Sequence, residues 1–559
     1  MVEFEDKHVS WVFLIILLLT VGLITYFRVK MHLYLWPAYD TYDLLANAAL
    51  FAGKGIGYSD LLRPPLLPFL TSIYFMIDGL NIWAIFVIDG LLSILGCVGL
   101  YLFFKERFTP LISFVGSFLY ATSPLILIFI AAGYYDIPSV SIGIWAIYLT
   151  YLGVKRNSKF FYLAFPVAML AVLTKYSMAL LIFPMFAYIW ISRAKIKNYK
   201  DVILGMFLGV LVLVPVLLFF NARLGDPIYP FTIFFKTSGG LMTTEHFAYN
   251  PDSLYFIKYL PHYLGETALL VIFSTLFAII FHLYKKIGKI ETLNWNKVIE
   301  KGNKIKLELV LIVFTSLVLI TTFGKIHYIF SEVLFFAIIL LINNLFSKLR
   351  RDYNVELLFL AWLGTFFIFH SVYLIKDHRY FIFMIAPIAY FLALGLNFTT
   401  EKFQFKLKKK NLTLYIFSVL LVLLMISSTV SRFEAIEKAN IENKVFNENV
   451  LDACNWLKNY DPNYKSKVIY ADYWPLFAWH LQMDVGKMPT FRNNQTILFG
   501  AKDFNFTVED EEIYDRELNK IKPDYYFFIW GNRRNMTFTN YEAIMRSGPV
   551  IIYKKGLMA

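Results

Sequence analysis

The chain has 559 residues, of which 58% are hydrophobic, 19% aromatic and 17% charged, and its formal net charge is +13. Apolar runs of roughly 17–23 residues recur, the length that crosses about 30 Å of hydrocarbon, and this excludes an ordinary soluble protein. The positive charge does not indicate nucleic acid, because Lys and Arg gather in short loops between the apolar runs, as the positive-inside bias predicts.

In chain order, spans are predicted near 11–27, 82–104, 111–131, 139–153, 201–221, 266–284, 307–323, 329–346, 355–375, 381–398 and 412–430. The first is a retained anchor rather than a cleaved signal. Its N-terminus is acidic (Glu3, Glu5, Asp6) and no small-residue cleavage site follows it. The stretch 64–78, with Pro64, Pro65 and Pro68, is predicted to be an interfacial or re-entrant helix. Segment 160–191 reads as two short helices turning at Thr174–Lys175. One long helix would put the basic loops 285–306 and 401–411 on the face opposite 105–109. Each leg of about 15 residues reaches roughly 22 Å, short of a full crossing. Lys175 is therefore predicted in a protein-lined cavity below the outer surface, with a solvated turn lysine as the alternative.

These elements sum to about thirteen transmembrane helices. The predicted architecture is a polytopic α-helical protein of the cell (plasma) membrane, N-terminus cytoplasmic, with the lipid bilayer as its environment. Residues 1–430 form the membrane domain, 28–81 its first outer loop, and 431–559 a soluble extracytoplasmic α/β domain. In that last region, helices are predicted at 451–460, 474–481 and 540–547, and strands at 467–472, 524–529 and 549–554. Asn494, Asn505 and Asn535 each begin an N-x-Thr sequon, which permits external glycosylation. Cys97 and Cys454 support no disulfide inference.

Among the outward ionisable residues, Asp40, Asp43, Arg63, Asp136, Lys175 and the run Lys376, Asp377, His378, Arg379 are singled out. A carboxylate at the boundary suits a general base toward a hydroxyl. Arg and Lys at the same depth suit a phosphate, Arg through a bidentate fork and Lys as a point charge. Each residue also has a plainer reading. Asp40 could be an N-cap for a helix beginning near Tyr42, Asp43 a first-turn acid and Asp136 the cap of a helix carrying Pro138. Arg63 could anchor the interfacial helix, Arg379 could snorkel at a helix end, and His378 could be a satisfied hydrogen-bond donor. Asp89, inside a span, is expected to be neutral or structurally paired.

The early outward Asp followed by RPPLLPFL (63–70), with GYYDIPS (133–139), LTKYSMALLIFP (173–184), RLGDPIYPF (223–231) and KDHRYFIFMIAPIAYFLALG (376–395), resembles the GT-C glycosyltransferases. The nearest type is the family-39-like group of protein mannosyltransferases and lipid A aminoarabinose transferases. The resemblance implies inverting transfer of a hexosyl or pentosyl group from a polyprenyl- or dolichyl-phosphate donor to a lipid, protein or glycan acceptor outside. Asp40 matches the first acid of the family's acidic pair. The second position is Thr41, which leaves open whether Asp43, one turn on, shares the catalytic role. Asp136 matches the second-loop acid, assigned to acceptor binding or to a divalent metal (Mg or Mn). Lys175 and Arg379, with Arg63 and His378, are assigned to the donor phosphate. The rival reading is a transporter or flippase, against which stand the lack of internal repeats and the concentration of polar groups on one face. A whole-oligosaccharide transferase is disfavoured because no WWDYG-type motif occurs, only DYWP at 472–475.

Overall fold

A computed structural model describes residues 2–238, 252–287, 295–373, 376–407, 410–488, 490–492, 495–497, 508–529 and 537–556. The three sequon asparagines lie outside these residues. Among the described residues, 10 helices are long and apolar enough to cross a membrane, from His8–Leu35 to Leu412–Tyr460. The other crossings counted toward about thirteen are shorter elements. The run expected as one span at 111–131 divides into Pro110–Ala121 and Pro124–Phe129. Ser123 is extended there, and Pro124, which has no N–H to donate backwards, starts the second helix.

Segment 160–191 folds as anticipated. The helix Phe161–Thr174 ends on an extended Lys175, and a 3-10 turn, Tyr176–Leu181, leads into Ile182–Ile191. The stretch after Pro64 forms a 13-residue helix, Leu66–Asp78. At 1.5 Å per residue this spans only about 20 Å, which suits an interfacial element.

The basic loops converge at one end of the bundle, where Arg107 lies 2.8 Å from Glu356, Lys155 3.3 Å from Glu106 and Lys195 2.6 Å from Asp352. The opposite end carries the first loop, the 131–136 turn, Lys175 and the C-terminal region. The helix that carries the last span continues past residue 430. A single 49-residue helix, Leu412–Tyr460, about 74 Å long, leads from the bundle into the C-terminal region.

That region is built on a five-stranded mixed sheet in the order Gly486–Lys487, Ile469–Ala471, Tyr525–Ile529, Val550–Lys555, Tyr541–Ser547. The helix expected at 540–547 is a strand. Tyr541–Ser547 pairs antiparallel with Val550–Lys555 across a tight turn at Gly548, where φ is +52°. Cross-strand pairing overrides the helical character of YEAIMRS.

The first loop and this sheet share one hydrophobic core. Leu44, Leu45 and Ala48 from the helix Tyr39–Phe51 are buried with Val450, Phe477 and Phe527. Tyr42 donates a 2.9 Å hydrogen bond to Asn447 Oδ1 on the long helix. Gly57, at φ +88°, lies so close to the sheet's approach that a Cβ would sit 2.7 Å from the backbone N of Asp484. The two segments thus hold each other in register beside the site. Both cysteines are free and buried.

Gly133 sets the angle between the first and second outer loops. Its φ is +76°, its N–H donates to Asp89 Oδ2 at 2.9 Å, and a Cβ would lie 2.7 Å from Thr41 Cγ2. Asp89 is therefore paired structurally, as expected. Gly133→Ala should cost about 1–3 kcal/mol from φ strain and crowding. The checks are a lower thermal midpoint in detergent and loss of activity, since Thr41 adjoins Asp40.

Candidate active site

Ala38 is extended, and the helix Tyr39–Phe51 starts directly after it, with Ala38 as a cap that makes no side-chain hydrogen bond. Asp40 is therefore not an N-cap. It lies in the first turn with Asp43 three residues on, so both acids share one face. From Pro64 onward the chain turns into the Leu66–Asp78 helix, which leaves Arg63 at the end of the polar loop, returned against those acids.

Arg63 is the hub of this loop. Its Nη2 lies 3.2 Å from Asp40 Oδ1 and 2.7 Å from Asp43 Oδ2, its Nε lies 3.1 Å from Asp60, and its Nη1 donates to the Tyr135 hydroxyl at 3.2 Å. Asp43, 2% exposed, also accepts from Tyr58 at 2.7 Å. The second oxygen of Asp40 faces Arg379 Nη1 at 2.8 Å, across 339 residues of sequence. Arg379 enters from the 3-10 turn His378–Phe381, where Asp377 accepts its backbone N–H and lies 3.0 Å from its Nε.

Lys175 ion-pairs with Asp136, the first residue of the helix Asp136–Lys155. Its ammonium sits among three rings, 5.0 Å from Tyr135, 4.9 Å from Tyr380 and 4.9 Å from Phe383. Arg379 stacks over Tyr134 at 5.3 Å and Tyr380 at 5.9 Å. Through these cation–aromatic contacts Lys175 and Arg379 share the ring of Tyr380 between them.

Asp40, Asp43, Arg63, Asp136, Lys175 and Arg379 are thus brought into one cluster. His378 is not. Its ring stacks on Tyr255 and receives or donates a 2.7 Å hydrogen bond with the Tyr263 hydroxyl. Asp60, Tyr58, Tyr134, Tyr135 and Tyr380 belong to the same cluster and were not singled out from sequence. The available signal for Tyr134, Tyr135 and Tyr380 was their position beside charged residues within the quoted motifs, and for Tyr58 and Asp60 their place in the first outer loop.

The two neighbouring acids are driven in opposite directions. Burial alone would raise Asp40, but Arg63 and Arg379 outweigh it and hold the carboxyl down at about 2. Asp43 is pushed up to about 6, burial being the main cause, with Arg63 opposing and Asp60 adding to the rise. A folded value above the unfolded one means that the native state holds this proton more tightly. Asp43's contribution to stability is present below about 4 and is lost as pH rises through 6. Asp43→Asn should therefore flatten the fall in thermal midpoint between about pH 4 and 6, measured in detergent across that range.

Asp136 does not fit a metal role. One of its oxygens is taken by Lys175, and among the described residues no group of three or more His, Cys, Asp or Glu side chains is arranged to hold an ion. Asp136 Oδ2 is buried with no hydrogen-bond partner, and Lys175 is the cation it serves.

Residues 62–219 match the family model described as dolichyl-phosphate-mannose-protein mannosyltransferase. The fold matches ArnT from Cupriavidus metallidurans in the apo state, with TM-score 0.55 and 11% identity, covering 96% of this chain and 97% of that one. The same protein bound to undecaprenyl phosphate gives TM-score 0.54 at 10% identity, with 96% and 97% covered. An oligosaccharyltransferase from Archaeoglobus fulgidus, in complex with Zn and sulfate, gives TM-score 0.51 at 18% identity, with 92% of this chain and 68% of that one covered. A search of curated proteins returned no match. The fold is thus that of ArnT over nearly the whole of both chains, in keeping with the resemblance in the outer-loop motifs.

Proposed function

We propose that the protein is an inverting glycosyltransferase that moves a hexosyl or pentosyl group from a polyprenyl- or dolichyl-phosphate donor to a hydroxyl acceptor on the non-cytoplasmic side of the membrane. The observation that carries this reading is the seat of Asp40 between two guanidiniums, 3.2 Å from Arg63 and 2.8 Å from Arg379. One carboxylate flanked by two phosphate-competent cations matches a base and a leaving-group site in contact. The undecaprenyl phosphate bound by the similarly folded ArnT favours the same donor chemistry. The gathering of basic loops at the far end of the bundle supports a cytoplasmic N-terminus and an external C-terminal domain.

In the proposed step, Asp40 takes the proton of the acceptor hydroxyl. The acceptor oxygen bonds to the anomeric carbon while the bond from that carbon to the phosphate oxygen breaks. The electron pair leaves with the polyprenyl phosphate, whose growing charge falls on Arg379, Arg63 and Lys175. Asp43 is held within the first loop by Arg63 and Tyr58, whereas Asp40 alone touches both guanidiniums, so a single carboxylate stands at the leaving-group site and favours inversion over a two-carboxylate retaining route. A carboxyl held near 2 is a weak base. A donor phosphate that draws the two guanidiniums toward itself strengthens that base at the moment it is needed.

The test is transfer of labelled sugar from a panel of polyprenyl-phosphate monosaccharides by the purified protein. Stereochemically inverted product and released polyprenyl phosphate are expected. Vesicle flux of the intact lipid-linked sugar with no bond cleaved would replace this reading with transport.

A further inference from the structure

The geometry points to Tyr135 as a further donor-phosphate ligand, whose hydroxyl proton completes the anion site between Arg63 and Lys175. The inference rests on the donor reading above and adds a residue to it. The Tyr135 hydroxyl oxygen accepts from Arg63 Nη1 at 3.2 Å. Arginine can only donate, so the tyrosine's own proton is not used in that bond. No acceptor takes it among the described residues, although Tyr135 is only 8% exposed. A buried hydroxyl proton facing no acceptor is uncommon, because such groups are almost always satisfied. The acceptor that the site itself calls for is an anionic oxygen.

The surroundings of the hydroxyl strengthen this assignment. Arg63 spends Nη2 on Asp40 and Asp43 and Nε on Asp60, so Nη1 is the nitrogen left to meet a ligand. Tyr135 is the residue that aims it. The face of the same ring lies 5.0 Å from the Lys175 ammonium, so one side chain sets the spacing of two cations. Backbone geometry supports the placement, since Tyr135 directly precedes the helix that begins at Asp136 and so stands where the chain turns from the Gly133 bend into that helix. A phosphate oxygen at this point would receive Nη1–H from Arg63 and O–H from Tyr135. The neutral donor adds stabilisation to the departing phosphate without adding another charge to a crowded cluster.

The experiment measures binding of a polyprenyl monophosphate and of the uncharged polyprenol to the purified full chain in detergent, for wild type, Tyr135→Phe, Tyr135→Leu, Arg63→Lys and the double variant Tyr135→Phe/Arg63→Lys. Tyr135→Phe keeps the ring beside Lys175 and removes only the hydroxyl. It is expected to weaken monophosphate binding roughly tenfold, the effect of one hydrogen bond to a charged group, and to leave polyprenol binding unchanged. Tyr135→Leu should weaken it further. The double variant should fall short of the sum of the singles, because Tyr135 and Arg63 grip the same oxygen. Wild-type preference for the monophosphate with Tyr135→Phe binding it equally well, or losing both lipids alike, overturns the role of Tyr135 alone. Wild type that does not distinguish the two lipids overturns the donor reading, and this inference with it.

Discussion

Asp40→Asn is expected to lower turnover by roughly 10²–10⁴-fold, the usual worth of a positioned general base, while the protein still folds and still binds the donor. The substitution is isosteric and removes the proton acceptor. It strands neither guanidinium, because Arg63 retains Asp43 and Asp60, and Arg379 retains Asp377. The severe penalty for an uncompensated buried charge therefore does not arise. Since Asp40 competes with the donor phosphate for both arginines, its neutralisation should leave KM unchanged or lower it as kcat collapses. That split marks a group acting in the transition state rather than in ground-state binding. Turnover within threefold of wild type would show that another group takes the proton.

Arg379→Ala is the second large effect, an expected loss of about 10²–10³-fold in kcat, comparable to deleting one donor from a preorganised oxyanion site. Arg379→Lys keeps the charge and loses the fork, so it should recover only part of the rate. Arg379 is also one of the two cations that hold Asp40 at about 2. Its removal moves the Asp40 carboxyl upward, so the acid limb of the pH–rate profile should shift to higher pH in Arg379→Ala and less in Arg379→Lys. Measuring kcat against pH for the three proteins checks both claims. A drop in rate with an unmoved acid limb would separate Arg379 from Asp40 in function.

The residues singled out by sequence that the fold does bring together are those with chemistry at odds with their surroundings. Asp40, Asp43, Arg63, Lys175 and Arg379 are ionisable groups at helix boundaries in a chain that is 58% hydrophobic, and that mismatch alone singles them out. His378 drew attention for the same reason but turns toward Tyr255 and Tyr263. A loop residue's side-chain direction depends on local dihedrals that composition does not reveal. Tyr135 carries no such mismatch, and Asp60 does but is one more acid in a loop that already holds Asp40 and Asp43. Tyrosines number 37 in this chain, so one more beside an acid stands out only once Arg63 is seen against it. The helix expected at 540–547 failed for a related reason, since a strand's partner lies elsewhere in the chain and outweighs local propensity.

Hydropathy runs and the distribution of Lys and Arg by themselves determined that this is a multi-span helical membrane protein. They also determined that segment 160–191 turns back on itself and that the polar groups collect at one end. These properties follow from hydrocarbon thickness and charge transfer energies, which act residue by residue along the chain. Only the tertiary structure decided that Asp40 bridges Arg63 and Arg379, that Asp136 neutralises Lys175, and that the C-terminal sheet shares a core with the first loop. Those contacts join side chains hundreds of residues apart, and ion pairing and packing depend on distances in space that no local pattern encodes.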